Sequence, residues 1–126
     1  MANPTDRKYS KEHEWALADG DTVTIGITDY AQEQLTDIVF VELPELGKQV
    51  KAGDAVAVLE SVKSVADVYA PCDGEIAEAN SNLEDHPEQV NEDAFGKGWI
   101  FRLKASGADL SAMMDAEAYQ QFVDAE

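Results

Sequence analysis

Between residues 14 and 104 the apolar positions come in short runs separated by Gly, Pro and Asp, and only toward the C-terminus do they space out to three- and four-residue steps. Trp15-Ala-Leu17 and Val23-Thr-Ile25 flank the polar break Ala18-Asp-Gly-Asp21, which predicts a hairpin. Asp29 to Leu35 has acid at its start and few β-branched residues, so a short helix capped by Thr28 or Asp29 is expected. Ile38 to Leu43 then reads as a strand, closed by the turn chemistry of Pro44 and Gly47. After the turn Lys51-Ala-Gly-Asp54, the run Ala55 to Glu60 is too brief for a helix and predicts a buried strand.

Polar residues Ser61 to Ser64 interrupt this run before Val65 to Ala70 resumes β-type composition, which places Lys63 near a hairpin tip. Pro71-Cys-Asp-Gly74 turns the chain again, Glu75 to Asn80 alternates like a half-buried strand, and a long loop surrounds Pro87. Trp99 to Leu103 is the last predicted strand. From Asp109 onward the periodicity becomes helical through Leu110, Met113 and Met114, then Tyr119, Phe122 and Val123, with Asp115 as a cap between two short helices. The tail is too short of apolar surface to fold alone, so its Tyr119, Phe122 and Val123 face is expected against the β core. Six or more short strands with a terminal helical segment predict a mainly β sandwich or barrel with added helices.

At 126 residues and 44% hydrophobic, the chain fits one domain spanning 1–126, with a flexible end over 1–8 and a helical segment over 109–126. Twenty-six acids against nine Lys and Arg give a net charge of -17, which disfavours nucleic acid and anionic lipid as partners. The longest apolar run, Ala55 to Leu59, cannot span a bilayer, and no signal-peptide region opens the chain, so a cytoplasmic protein is expected; with its acidic balance it is expected to be a monomer that docks transiently on basic patches. A mitochondrial matrix protein stripped of its transit peptide would look the same. One cysteine, Cys72, and two distant histidines, His13 and His86, lack the spacing of a disulfide or a zinc site, so no metal is expected.

No nucleophile elbow, P-loop, dinucleotide fingerprint or zinc-protease motif is present, so no catalytic residue is assigned. Lys63 is the only Lys or Arg between Lys51 and Lys97 and sits among carboxylates that include Glu60 and Asp67. Those acids would keep its amine protonated, which argues against a Schiff-base role. A solvated turn lysine and a covalent attachment point remain open, because periodicity does not separate them.

Glu60-Ser-Val-Lys63-Ser, running into Val65-Ala-Asp67-Val-Tyr-Ala-Pro71 and Gly74-Glu-Ile76, resembles the lipoyl-attachment segment of the glycine cleavage system H protein family. His13-Glu-Trp15, Gly26 to Gln32, Val39 to Glu45, Val90-Asn-Glu-Asp93 and Gly98-Trp99 resemble other blocks of the family in order and spacing, covering about residues 8 to 123. Ala94 departs from a common Pro and Ser64 from a common Ala.

The resemblance implies a barrel-sandwich hybrid like a lipoyl domain, with lipoic acid amide-linked to Lys63. It implies a carrier rather than an enzyme. Glycine decarboxylase would load the aminomethyl group, the aminomethyltransferase would pass its carbon to tetrahydrofolate, and dihydrolipoyl dehydrogenase would reoxidise the arm; lipoyl-attaching enzymes would be further partners. Glu14 and Asp67 match family positions associated with shielding the loaded arm, and Glu12 is a nearby third acid. A lipoyl domain of a 2-oxo acid dehydrogenase complex is disfavoured by the His13-Glu-Trp15 block, the N-terminal hairpin and the C-terminal helices. A biotin carrier would place methionines where Val62 and Ser64 stand. An unmodified acidic interaction domain is the alternative from another class.

Overall fold

The computed structural model describes residues 3–105 and 110–126. Among these described residues nine strands and four helices follow one another as β1 (Lys8–Tyr9), β2 (Glu14–Asp19), β3 (Thr22–Ile27), α1 (Asp29–Leu35), β4 (Ile38–Glu42), β5 (Gln49–Val50), β6 (Ala55–Ser61), β7 (Val65–Tyr69), β8 (Gly74–Ala79), α2 (Asn82–Asp85), α3 (Gln89–Glu92), β9 (Phe101–Lys104) and α4 (Ala116–Asp124). The strands form two antiparallel sheets. One has the order β1-β2-β3-β9-β8-β5 and the other the order β4-β6-β7, so β7 lies at an edge of the smaller sheet.

Both sheets turn apolar residues toward one core, Val23, Ile25, Phe101 and Leu103 from the larger and Val41, Leu59 and Val68 from the smaller. Period-two alternation is what permits this, since each strand has one face to bury. The predicted hairpin is β2–β3, and its pairing sets Trp15 opposite Gly26. A Cβ on Gly26 would lie 2.6 Å from the Trp15 ring, so the glycine is the space the indole occupies. The buried indole also donates from Nε1 to the Ala94 carbonyl at 3.0 Å and lies 4.6 Å beneath the Arg7 guanidinium. Because position 94 contributes a backbone oxygen, Ala in place of the common Pro leaves that contact available.

Thr28 rather than Asp29 caps α1, accepting from the Ala31 N–H at 3.2 Å. Its hydroxyl is buried and meets the Tyr119 hydroxyl at 2.7 Å, which ties the cap to α4. Tyr119 stacks on Tyr9 with centroids 4.8 Å apart, and Phe122 and Val123 pack in the same cluster, so the tail docks through the three residues its periodicity indicated.

Several expectations are corrected. Asp109 lies outside the described residues, and 110–114 follow turns and a bridge instead of a first helix, with Met114 exchanging backbone hydrogen bonds with Tyr9 at 2.8 Å in each direction. Asp115 therefore caps one helix, α4, by accepting from the Ala118 N–H. The flexibility expected over 1–8 is not among these corrections; of its described residues, Asn3 donates to Gln120, Arg7 donates to the Phe95 carbonyl, and Lys8 begins β1. The loop around Pro87 contains α2 and α3, one-turn helices anchored by buried Leu83 and Val90. The last strand starts at Phe101, two residues later than predicted.

Candidate functional site

Lys63 sits at the tip of the β6–β7 hairpin, exposed, and its amine has no ion pair among the described residues. The backbone beneath it is pinned. Ser61 donates from its N–H to the Ser64 carbonyl at 2.8 Å, and its Oγ accepts from the N–H groups of Ser64 at 2.9 Å and Lys63 at 3.3 Å. A serine hydroxyl closing its own turn is the local chemistry that Ser offers in such loops.

A second brace comes from the side. The Val62 N–H donates to the Asp37 carbonyl at 3.1 Å, joining the tip to the link between α1 and β4. That link is held by Asn91, whose Nδ2 donates to the Thr36 carbonyl at 2.8 Å and to Gln32 at 2.9 Å while Oδ1 accepts from the Ile38 N–H at 2.9 Å. Thr36 has φ +64°, a conformation costly for a β-branched residue, and Asn91 satisfies its carbonyl. Neither Asn91 nor Ser61 was assigned a role from sequence. The Val90-Asn-Glu-Asp block and the Ser-x-x-Ser spacing were the available signals.

The structure separates the two acids that the resemblance paired. Asp67 lies on β7, exposed, four residues beyond Lys63, and lines a cavity of about 340 Å³ with an apolar floor that includes Ile27, Leu35 and Leu59. Glu12 and Glu126 line its lip. Glu126 is positioned by the Tyr30 hydroxyl, which donates to it at 3.1 Å, and lies 3.3 Å from His13 Nε2. Glu14 instead lines a neighbouring cavity of about 560 Å³ with Tyr9, Tyr69 and Met113. Glu12 borders both.

Glu14 is 3% exposed, and both of its oxygens are engaged. Oε2 accepts from the Tyr69 N–H at 2.6 Å and Oε1 from the Ser10 hydroxyl at 3.0 Å. Burial pushes its carboxyl up to about 7, opposed by those two hydrogen bonds and assisted by the charge of Glu12. Glu14 thereby joins β2 of the larger sheet to β7 of the smaller, the strand that leaves the Lys63 tip.

His13 packs against Tyr30, with centroids 4.9 Å apart, and accepts or donates at Nδ1 with the Tyr119 hydroxyl at 2.8 Å. Cys72 is buried, and burial raises its thiol above the ordinary range, which suits packing better than redox work. Among the described residues no group of three or more His, Cys, Asp or Glu is arranged to hold a metal, and no helix is long and apolar enough to cross a membrane.

A family profile described as "Glycine cleavage H-protein" matches residues 7–126. A protein of Thermus thermophilus named "Glycine cleavage system H protein" is 58% identical over 127 residues, covering 100% of this chain and 99% of that relative. One of the same name from Parvibaculum lavamentivorans is 52% identical over 121 residues, covering 95% of this chain and 97% of the relative. The crystal structure of a glycine cleavage system H protein from Mycobacterium marinum superposes with a TM-score of 0.86 at 37% identity, covering 97% of this chain and 99% of that one.

Proposed function

The chain belongs to the glycine cleavage H-protein family, and from that premise we propose that Lys63 is the point at which it carries lipoic acid, as a substrate of partner enzymes with no catalytic site of its own. The carrier role in glycine cleavage follows from the family. The partners proposed are glycine decarboxylase, the aminomethyltransferase, dihydrolipoyl dehydrogenase and a lipoyl-attaching enzyme, working in the cytoplasm with this chain as a monomer.

One observation carries the Lys63 assignment: an exposed amine with no ion pair among the described residues, on a tip whose backbone is braced through Ser61 and Asp37. A stiff base under a long arm lets the arm sweep while its origin stays fixed. When bound, the lipoyl group supplies a disulfide that can open and reclose, chemistry that a single buried Cys72 does not offer. Lipoyl-lysine reaches roughly 15 Å from the backbone on ordinary bond lengths. Asp67 stands four positions beyond Lys63, at most about 13 Å along the chain at strand rise, so the 340 Å³ cavity is within that reach.

In this reading Asp67, with Glu12 beside it, receives the ammonium on the arm's end, and the apolar floor of the cavity keeps water from the carried one-carbon group. Glu14 contributes from the adjoining cavity, although its oxygens are already engaged and its carboxyl holds a proton over much of the range below pH 7. Asp67→Asn should shorten the lifetime of the carried group about tenfold, the worth of one charge-assisted hydrogen bond of ~1.4 kcal/mol. Ammonia release followed with the loaded protein alone measures this. An unchanged lifetime removes Asp67 from the site.

Intact-mass analysis of protein produced with lipoate available, followed by peptide mapping, tests the attachment itself. A lipoyl increment confined to Lys63 is expected. An increment on another lysine, or none, overturns the assignment.

A further inference from the structure

The outer face of the β4-β6-β7 sheet sets large exposed apolar residues among its acids, where a solvated face is usually polar throughout. Phe40 pairs with Glu60, and Glu60 pairs with Val65, so these three form one cross-strand row on that face. Phe40 is 50% exposed and Val65 63%, and Val62 at the tip is 68% exposed. Their inward-facing neighbours, Val41 and Leu59, are buried in the core, so the outward placement belongs to the register and is not a packing failure.

A register shift between Ile38 and Phe40 sharpens the point. Strict alternation would return every second residue of β4 to the core, yet Val39 and Phe40 are both exposed in succession. A bulge at a strand end re-aims a side chain, and here it adds an aromatic ring to the surface beside the tip. Glu60 stands between Phe40 and Val65 in that row, Glu42 follows Phe40 on the same strand, and Asp37 is bonded to Val62 through its carbonyl, on a chain carrying a net charge of -17. Its complement is an apolar surface with Lys or Arg set within it to meet Glu60.

Reach decides which partner touches it. A bare lysine extends roughly 6 Å from its Cα, against roughly 15 Å once acylated. An enzyme that acylates the bare amine must bring its own surface against the residues around the tip. Enzymes served by the finished arm can stand off by more than twice that distance.

We infer that Phe40, Val62 and Val65 form the docking surface for the enzyme that acylates Lys63, a partner whose surface at the mouth of its acyl channel is both apolar and basic. This inference rests on the attachment reading. In the reaction the amine gives a proton to a base of the enzyme and its nitrogen attacks the carbonyl carbon of an activated lipoyl donor. The new C–N bond forms as the bond to the leaving group breaks, and the leaving group departs with that electron pair. The exposed aromatic anchors the encounter, as buried aromatics do in other interfaces.

Phe40→Thr combined with Val65→Thr keeps β-forming residues in both strands and removes most of the apolar surface. With a purified lipoate ligase, ATP and lipoate, kcat/KM for the variant should fall about tenfold to thirtyfold, mainly through KM. After exhaustive lipoylation, its turnover by dihydrolipoyl dehydrogenase should stay within about twofold of the parent. Parent-like lipoylation kinetics would overturn the docking surface. So would an equal loss with the dehydrogenase, since that would show a surface common to all partners. Failure of the unaltered parent to acquire lipoyl on Lys63 would instead overturn the attachment reading, which keeps the two failures distinct.

Discussion

Lys63→Arg should abolish glycine breakdown in a purified mixture of the cleavage enzymes that holds no substitute carrier. The substitution preserves positive charge, length and exposure, so it removes little besides acylability. The turn below is held by Ser61, Asp37 and backbone groups, none of which involves the Lys63 side chain beyond its Cβ. Stability should accordingly stay within about 0.5 kcal/mol of the parent, as exposed substitutions usually do. A guanidinium is effectively never deprotonated, so it offers no amine nitrogen to an acyl donor. The expected readout is release of carbon dioxide at background, no lipoyl increment by mass, and an unchanged urea midpoint. Sustained turnover by the variant would sink the carrier assignment for Lys63, whereas a lowered midpoint would show that the lysine also supports the hairpin.

The same hairpin shows why part of this molecule was readable from its sequence. Ala55 to Ser61 and Val65 to Tyr69 each have enough length for apolar content to set a strand, and the polar break between them fixes the tip by position alone. Strands β1 and β5 have two residues each, too few for any alternation to register. Helices α2 and α3 each bury a single side chain, Leu83 or Val90, so no helical period exists to find. The misplaced helix at 110–114 has a different cause. Leu110 and Met113 carry helical spacing, but Leu110 and Met113 pack on the main core while Met114 is drawn into a bridge with Tyr9. Tertiary pairing overrides local period there.

Legibility of the site divides along similar lines. Lys63 stood out because no other Lys or Arg lies within eleven residues on either side, a feature of the linear chain. Asn91 could not, because its work is to join Thr36, Ile38 and Gln32 across more than fifty positions. Glu14 and Asp67 were paired by resemblance, and only the fold shows them bordering different cavities with Glu12 between. The sheets bring β2 and β7 together through the Glu14 carboxylate and the Tyr69 N–H, a contact with no signature in either segment.

That contact yields the second large effect, a loss of stability as pH rises toward neutrality. The Glu14 carboxyl goes from the usual 4.5 to about 7 on folding, chiefly because burial penalises its charged form. Below pH 4.5 folded and unfolded chains both hold the proton, and above pH 7 neither does. Between those limits the folded state binds more protons, so the free energy of unfolding falls with rising pH. The window from 4.5 to about 7 at ~1.36 kcal/mol per pH unit makes the Glu14 share about 3 kcal/mol. Other carboxylates also repel one another as they ionise, so the comparison with Glu14→Gln isolates this one. Glutamine resembles the protonated acid: its oxygen can accept from the Tyr69 N–H and its amide can donate to Ser10 Oγ. Urea titrations should give similar stabilities for parent and variant near pH 4.5 and a variant more stable by up to about 3 kcal/mol at pH 8. Parallel profiles would mean that Glu14 does not titrate upward in the folded protein. Because the glutamine keeps the tie between the sheets, any change it causes in the lifetime of the carried group reports the lost charge and not a displaced β7. A lifetime unaffected by Glu14→Gln but shortened by Asp67→Asn would assign the ammonium to the 340 Å³ cavity and leave Glu14 as a positioning residue.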